Sequence, residues 1–187
     1  MQKTDIFEFI ECMAALIRTE ERRKCTELGL QPVHFQLLNY LSRCNKYSDT
    51  PAATANFLGM TRGTVSQSII ILEKKGYIEK IQDQADKRVI HLALLPKGKE
   101  ILIEARPTEL FDKALVLFNS KMPKTSGDRI FAQALTALQK ANKSHTFGMC
   151  KTCKHFSTKN GDFFCQLTQE TLSVEDSEKI CQEHTPV

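Results

Sequence analysis

Apolar residues recur at helical spacing through most of the chain, which predicts a mainly helical fold. Residues 5–25 and 32–43 repeat apolar side chains three and four positions apart, as one face of a helix requires. These positions are Ile6, Phe9, Ile10, Met13 and Ile17 in the first stretch, and Phe35, Leu38 and Leu41 in the second. Further helices are predicted from Pro96 to about Phe118, bent at Pro107, and at 128–143.

The stretch "DTPAATANFLGMTRGTVSQSIIILEKKGYIEK", residues 49–80, predicts two short helices joined by a tight turn. Thr50 can cap a helix that begins at Pro51 and must end near Gly59. Thr61 can cap a second helix that ends at Gly76. Two helices in this order form a helix-turn-helix.

A β-hairpin is predicted directly after this pair. The segments "YIEKI" and "RVIHLALL" are β-branched and alternate apolar with polar residues on either side of the polar turn "DQAD". A helix-turn-helix followed by a hairpin describes a winged helix. The predicted fold class is therefore mainly α with a small β wing.

The charge distribution points to the same part of the chain as a binder of polyanions. The net charge is +4, but residues 144–187 carry four Lys against six Asp or Glu, a balance of −2, so the first 143 residues carry +6. No apolar run approaches the roughly 18–20 residues of a membrane span. The first residues lack the pattern of an export signal, so we expect a cytoplasmic protein without a membrane partner.

Four of the seven cysteines fall in the last 38 positions, in the pattern C-x2-C-x11-C-x15-C. In a reducing compartment such a cluster is more often a metal site than a disulfide framework. Residues 149–187 hold too few apolar side chains for a core of their own, and a structural zinc ion could supply the missing stability. The expected ligands are Cys150, Cys153, Cys165 and Cys181.

Other interpretations of these thiols stay open. An iron-sulfur cluster also suits single cysteines after a first pair, and a thiol-disulfide switch is a third option. His155 or His184 could replace one cysteine ligand, because both lie close to the cluster in sequence. The domain organisation expected is a winged-helix and dimerisation domain at 1–145 and a cysteine-rich, metal-stabilised module at 146–187.

Several other chemically active residues are interpreted as structural. Cys12, Cys25 and Cys44 have no partner-like spacing and are expected to be small buried side chains. The isolated histidines at 34 and 91 are also expected to have structural roles, and Tyr40 is expected to pack in the core. No nucleophile, base and orienting group occur at catalytic spacings, so an enzyme is not expected.

From residue 5 to about residue 143 the sequence resembles the MarR family of winged-helix transcriptional regulators. The segments that carry the resemblance are "TANFLGMTRGTVSQ", "LEKKGYIEK" and "DQADKRVIHLALLPKGKE". The resemblance implies a homodimer whose first and last helices intertwine, with two lobes facing successive major grooves of a near-palindromic site. Thr54 replaces a usually apolar residue, Ala85 a frequent Arg or Pro, and Ile70 a commonly polar one.

If the second helix of the pair enters the major groove, its amino end and outward face meet base edges. Arg suits guanine, Gln suits adenine, and Ser or Thr hydroxyls suit phosphates or either base. The residues expected to contact bases are Arg62, Gly63, Thr64, Ser66 and Gln67, with Lys74 and Lys75 on phosphate. Arg88 follows the wing turn, where it can enter the minor groove or pair with Asp83 or Asp86.

Together these features predict a homodimeric repressor that binds specific double-stranded DNA and carries zinc in its tail. A small-molecule effector is a further partner left open. An alternative of a different class makes the cysteine module the working part, as a redox or metal sensor or a docking module. The two differ at residues 62–67, where substitution abolishes operator binding only in the first case.

Overall fold

The computed structural model describes residues 6–108, 110–112, 148–159 and 161–185, with the backbone alone at positions 6, 8, 9, 12 and 159. The chain forms two compact units. One comprises Met1–Phe35 and Ile101–Lys143, and the other comprises Gln36–Glu100 and Ser144–Val187. The helix predicted at 128–143 lies outside the described residues. None of the described helices is long and apolar enough to cross a membrane.

Helix α1 runs over Ile6–Glu27 and confirms the first predicted helix. It ends because Gly29 adopts the left-handed conformation, with φ at 62°, and the Leu30 N–H donates to the Cys25 carbonyl at 2.8 Å. The Cys25 side chain is fully buried, as expected for a small apolar filler. Helix α2 follows at Pro32–Leu41, two residues shorter than predicted.

Tyr40 belongs to the core of the second unit. Its ring lies 4.6 Å from the Phe57 ring, and its hydroxyl donates to the Ser48 carbonyl at 2.6 Å. Burial raises the pKa of the Tyr40 phenol, with the charges of Cys44 and Asp49 adding to the effect. The phenol therefore stays neutral and has a structural role.

The helix-turn-helix consists of α3 at Pro51–Leu58 and α4 at Arg62–Lys74. Both predicted caps form: the Thr50 side chain accepts from the Ala53 N–H, and the Thr61 side chain accepts from the Thr64 N–H, each at 3.2 Å. Gly59 ends α3 in the left-handed conformation, with φ at 62°. Helix α4 buries its apolar side against α3 and the wing through Val65, Ile69 and Leu72.

The wing is an antiparallel pair of strands, β1 at Ile78–Gln82 and β2 at Ile90–Leu94. Helix α5 follows at Pro96–Ala105. The prediction of one bent helix to Phe118 was wrong at the bend: α5 stops at Ala105, and helical backbone resumes only after Pro107. Proline has no N–H to donate and its ring crowds the preceding turn, so the helix breaks there. Residues 113–118 lie outside the described part.

The cysteine-rich tail folds into a small β module. Strands β4 at Phe156–Lys159, β5 at Asp162–Cys165 and β6 at Glu170–Leu172 form an antiparallel sheet in that order. Strand β3 at Gly148–Met149 pairs with β7 at Ile180–Cys181. A 3₁₀ turn spans Cys150–Thr152, and a short helix α6 spans Val174–Ser177 with a capping box from Ser173 and Asp176.

The module packs against the loop between α2 and α3, residues 42–50, which we call the α2–α3 loop. The Ile180 N–H donates to the Arg43 carbonyl at 2.8 Å, and the Ile180 carbonyl accepts from the Asn45 N–H at 3.0 Å. The module thus shares one compact unit with the winged helix. The domain boundary predicted at 145/146 stays a prediction.

Candidate nucleic-acid interface and cysteine cavity

The outward face of α4 presents the residues expected to contact bases. Because Val65, Ile69 and Leu72 are buried, the opposite side of the helix faces solvent. The exposed residues on α4 include every predicted base or phosphate contact of this helix, namely Arg62, Gly63, Thr64, Ser66, Gln67 and Lys74. The helix begins with Arg62, Gly63 and Thr64, so its amino end, where the helix dipole is positive, lies on the same exposed surface.

Thr64 has a structural bond in addition to its exposed position. Its hydroxyl lies 2.9 Å from the Thr61 hydroxyl, beside the capping bond of α4. The hydroxyl therefore helps to fix the first turn of the helix that carries Arg62 and Gly63. A contact from Thr64 to DNA would share this oxygen.

Ile70 lies on the same exposed face as Gln67 and Lys74, from which it is separated by three and four positions. Its side chain is 48% exposed. The methyl group of thymine is an apolar feature that a side chain in the major groove can contact. Ile70 thus adds an apolar element to an otherwise polar surface.

The tip of the wing is held by carboxylates that accept backbone N–H groups. Asp83 accepts from Ala85 and Asp86 at 2.8 and 2.7 Å, and these bonds lower the pKa of Asp83. Asp86 pairs with the Arg88 guanidinium at 2.7 Å. The Arg88 side chain is 90% exposed, so it is accessible to a nucleic acid while it rests on Asp86.

His91 on β2 joins the wing to the α2–α3 loop, a contact that the sequence pattern did not reveal. Its Nδ1 lies 2.5 Å from Asp49 Oδ1, and its Nε2 lies 3.2 Å from Asp83 Oδ2. The bond to Asp49 raises the pKa of His91; burial opposes it, and the charge of Asp49 and then the bond to Asp83 add to the rise. The Leu92 N–H also donates to the Asp49 carbonyl at 2.8 Å.

The four tail cysteines line one cavity of about 30 Å³. Asn45 and Tyr47 of the α2–α3 loop complete part of its wall. The cavity has room for a single ion or a water molecule. Cys150, Cys153, Cys165 and Cys181 are all free thiols, so no disulfide competes for them. The 3₁₀ turn brings the Cys153 N–H to 3.0 Å from the Cys150 carbonyl, the tight turn expected of Cys-x-x-Cys.

Hydrogen-bond donors lie close to the sulfurs of Cys153 and Cys165. The Thr185 N–H donates to Cys153 Sγ at 3.3 Å. Burial raises the pKa of Cys165, but bonds from Thr168 and from the Leu167 backbone outweigh it and leave that pKa below its ordinary value. Donors directed at sulfur stabilise the thiolate form, which is the form that ligates metals.

The close approach of the sulfurs has an electrostatic effect on Cys150. Burial and then the neighbouring sulfurs of Cys181, Cys165 and Cys153 raise the pKa of Cys150 to about 12. Burial likewise raises the pKa of Cys181, although the Asn45 side chain and the Glu183 backbone lower it in part. A cation among four sulfurs would remove this repulsion.

The cysteine cavity meets some of the requirements of a zinc site. Four thiols on one cavity wall, with N–H donors around them, match the donor set of structural zinc. Among the described residues, however, no group of three or more His, Cys, Asp or Glu is arranged so that it could hold a metal ion. The zinc site therefore stays a prediction.

The two candidate substitute ligands occupy different places. His155 lines the cysteine cavity, whereas His184 is absent from its wall. The His184 ring is buried, and its Nε2 lies 2.9 Å from the Thr152 hydroxyl. A Cβ at position 148 would lie 2.8 Å from this ring, so Gly148 makes the room that His184 needs. These contacts favour a structural role for His184.

Comparisons with known proteins agree with this geometry. Residues 28–89 match the model of the MarR family. The transcriptional repressor MprA of Escherichia coli is 32% identical over 91 residues, which cover 48% of this chain and 52% of MprA. The chain thus spans about half the length of the curated relatives that it matches.

Two solved structures share the fold. An S. aureus MepR–DNA complex is 19% identical with a TM-score of 0.54, covering 74% of this chain and 99% of MepR. A MepR mutant from a multidrug-resistant S. aureus clinical isolate is 18% identical with a TM-score of 0.61, covering 75% and 99%. The fold is therefore a MarR-like winged helix. Regulators of the matched family are DNA-binding proteins, not enzymes.

Proposed function

We propose that this chain is a cytoplasmic MarR-type transcriptional repressor that binds a specific double-stranded DNA site as a homodimer and holds zinc in its C-terminal module. The observation that carries the DNA-binding part is the exposed, polar start of α4. Arg62 and Gln67 extend from a helix fixed by its Thr61 cap and by the buried side of the lobe. This arrangement presents guanine- and adenine-reading groups on one surface.

The contacts divide into those that read bases and those that position the protein. Arg62, Gln67 and Ile70 face outward on α4 and would meet base edges, with Ile70 against a thymine methyl group. Lys74 at the end of α4 and Arg88 at the wing would neutralise phosphates or enter the minor groove. Base contacts set the sequence preference, and the cations set the affinity and its dependence on salt.

Exposed apolar side chains support the homodimer. In the described part of the first unit, α1 exposes Met13 and Leu16, and the segment around Pro107 exposes Ile103, Leu110 and Phe111. A folded monomer rarely leaves so many large apolar groups in water. A second copy of the chain would cover them in the dimer that the family resemblance implies.

The cysteine cavity supports zinc. The observations in favour are the cavity shared by four free thiols and the N–H donor at the Cys153 sulfur. Cys150, Cys153, Cys165 and Cys181 would hold the metal, with His155 on the cavity wall as the substitute ligand. When bound, zinc would supply the cross-link that a module of this size requires.

The DNA-binding proposal is tested by selection of duplexes from a random library, followed by fluorescence anisotropy with the enriched duplex. We expect Arg62→Ala to weaken binding to that duplex by about 1–3 kcal/mol and to relax base preference at one position in each half-site. The double variant Arg62→Ala with Gln67→Ala is expected to lose preference for the enriched duplex over a scrambled one.

The matched control is Arg22→Ala, which removes the same charge from an exposed position on α1. It should leave both affinity and preference unchanged. If selection enriches no sequence, or if the double variant keeps the wild-type preference, α4 is not the reading helix and the proposal fails.

A further inference from the structure

We propose that the cysteine module is the regulatory input of the DNA-reading lobe: a thiophilic divalent metal in the cysteine cavity fixes the α2–α3 loop, and through it the wing. The inference rests on the proposed function for its DNA readout. The coupling itself concerns contacts within one compact unit and can be measured without DNA. The contacts in question lie on the side of the module that packs against the α2–α3 loop.

The first contact between module and loop is made by backbone groups. Ile180 pairs with both sides of Cys44 in a parallel bridge, through the Arg43 carbonyl and the Asn45 N–H. The next residue, Cys181, is a cavity residue. Cys181, which lines the cavity, is therefore bonded directly to Ile180, the residue that pairs with the loop.

Three further bonds cross the same boundary. The Gln182 N–H donates to the Ser48 hydroxyl at 3.0 Å, and Gln182 Nε2 donates to the Tyr47 carbonyl at 3.2 Å. Lys46 pairs with Glu170 at 2.9 Å. Ser48 is fully buried, so its bond to the module is shielded from competing water.

The loop also supplies part of the cavity wall. Asn45 and Tyr47 line it together with Cys181. The Tyr47 hydroxyl is buried and has no hydrogen-bond partner among the described residues. The cavity is thus incomplete without the DNA-reading lobe.

The other end of the loop is hydrogen-bonded to the wing. Asp49 holds the wing twice: its carbonyl accepts from the Leu92 N–H at 2.8 Å, and its carboxylate binds the His91 ring. His91 in turn reaches Asp83 at the wing turn. Hydrogen bonds at both ends of residues 45–49, joined by the backbone of this segment, therefore connect the module that lines the cavity with the wing that carries Arg88.

The direction of the effect follows from preorganisation. Metal binding would fix the four sulfurs and with them β7, the loop and the wing, so less ordering would remain for DNA binding to impose. We therefore expect the metal-loaded protein to bind its duplex more tightly than the metal-free protein. Couplings between two sites are typically about 5–150-fold in affinity.

The test compares the full chain loaded with zinc and the same chain stripped by a chelator under a reductant. Zinc per chain is measured by mass spectrometry, and a colourless preparation distinguishes zinc from an iron-sulfur cluster. Hydrogen exchange then reports the peptides that cover residues 42–50 and 77–95, and anisotropy reports affinity for the selected duplex. Stripping should speed exchange at the Asn45 and Leu92 amides and weaken DNA binding roughly fivefold or more.

A docking variant separates coupling from metal binding. Ser48→Ala with Gln182→Ala removes two bonds between module and loop and leaves every cysteine in place. It should bind zinc like the wild type, while its wing exchange and DNA affinity respond less to stripping. Gln182→Ala alone is the milder version, expected to act in the same direction. Thr158→Ala, an exposed position on β4, should keep the full response.

The outcomes separate the two proposals. If no duplex is bound specifically, the proposed function fails. Hydrogen exchange at residues 42–50 and 77–95 then still shows whether metal binding is coupled to the loop and the wing. Zinc that binds and leaves without changing exchange at 42–50 and 77–95 would overturn the inference. A chain that takes up no zinc from excess metal ion would overturn it as well.

Discussion

His91 is a histidine held between two carboxylates from different parts of the lobe. The bonds to Asp49 and Asp83 favour the imidazolium and raise its pKa above the ordinary 6.5. A group with a raised pKa in the folded state stabilises the fold fully below its unfolded pKa. That contribution is lost as the pH rises through the folded pKa. The bonds of His91 that join the α2–α3 loop to the wing are therefore strongest in mildly acidic solution and weaken as the pH rises.

NMR titration of the His91 ring protons checks this assignment. We expect an apparent pKa above 6.5 in the wild type and a return toward 6.5 in Asp49→Asn, because the largest favourable contact is then lost. Asp162→Asn, an exposed position on β5, is the control and should leave the His91 titration unchanged. A wild-type pKa of 6.5 or lower would contradict the geometry.

Thr54 shows how a departure from the family pattern is accommodated. The residue is fully buried in α3, where an apolar side chain was expected. Its hydroxyl donates to the Thr50 carbonyl at 2.9 Å within the same helix, so no polar group is left unsatisfied at this position. The buried threonine therefore needs no change elsewhere in the lobe.

At the scale of elements, the start of α5 depends on a close approach between two backbones. A Cβ at position 98 would lie 2.1 Å from the Tyr77 carbonyl oxygen. That oxygen is fixed, because it accepts from the Leu95 N–H at 3.0 Å. Only glycine lets the helix begin directly against the end of α4 and the start of β1.

Gly98→Ala should destabilise the protein by about 1–3 kcal/mol, since either helix or strand must shift to admit the methyl group. Thermal unfolding followed by circular dichroism measures the effect. Gly63→Ala is the matched control: it lies inside α4 with its nearest contact at 3.8 Å, and should stabilise by about 0.4–1 kcal/mol. Equal melting temperatures for Gly98→Ala and the wild type would refute the packing argument.

Local signals explain why the helices and wing could be predicted from sequence. Thr50, Thr61 and Pro96 mark helix starts, Gly59 marks an end, and alternation marks the strands, so each element is specified within a few residues. The exposed face of α4 follows from its three buried positions. The end of α5 was misplaced because a proline can bend a helix or end it, and the pattern of apolar residues is the same in both cases.

The contacts of the tail with the lobe could not be predicted in this way. Ile180 holds the loop through backbone groups that every residue except proline possesses, so no side-chain pattern marks the pairing. Asp49 and His91 are 42 positions apart, and only the folded lobe brings them together. The spacing of the cysteines indicated a shared site, but nothing in it indicated that Asn45 and Tyr47 would form part of the wall.

At the scale of the whole molecule, an exposed apolar residue of α1 allows the proposed homodimer to be tested. Leu16 is 69% exposed, the most exposed of the large apolar residues described on this helix. Leu16→Glu places a charge where the partner copy would bury an apolar group, and desolvating that charge is costly. We expect light scattering to give about twice the chain mass of 21.2 kDa for the wild type and a shift toward that mass in the variant.

Arg18→Glu serves as the control for the dimer. Two positions further along a helix lie about 200° around its axis, so Arg18 points away from Leu16. This variant should remain dimeric. A wild-type protein that stays monomeric at micromolar concentration, or a Leu16→Glu protein with undiminished association, would contradict the homodimer.

The edge pairing at Ile180 also bears on how the chain could be shortened. A fragment that ends before residue 148 would keep every described helix and strand of the winged lobe, yet it would open the patch now closed by β7. Cys44, Asn45 and Ser48, all nearly or fully buried, would then face water, and the Arg43 carbonyl and Asn45 N–H would form a bare strand edge. Such a fragment would be prone to aggregation, so removal of the tail is not a clean way to isolate the winged lobe.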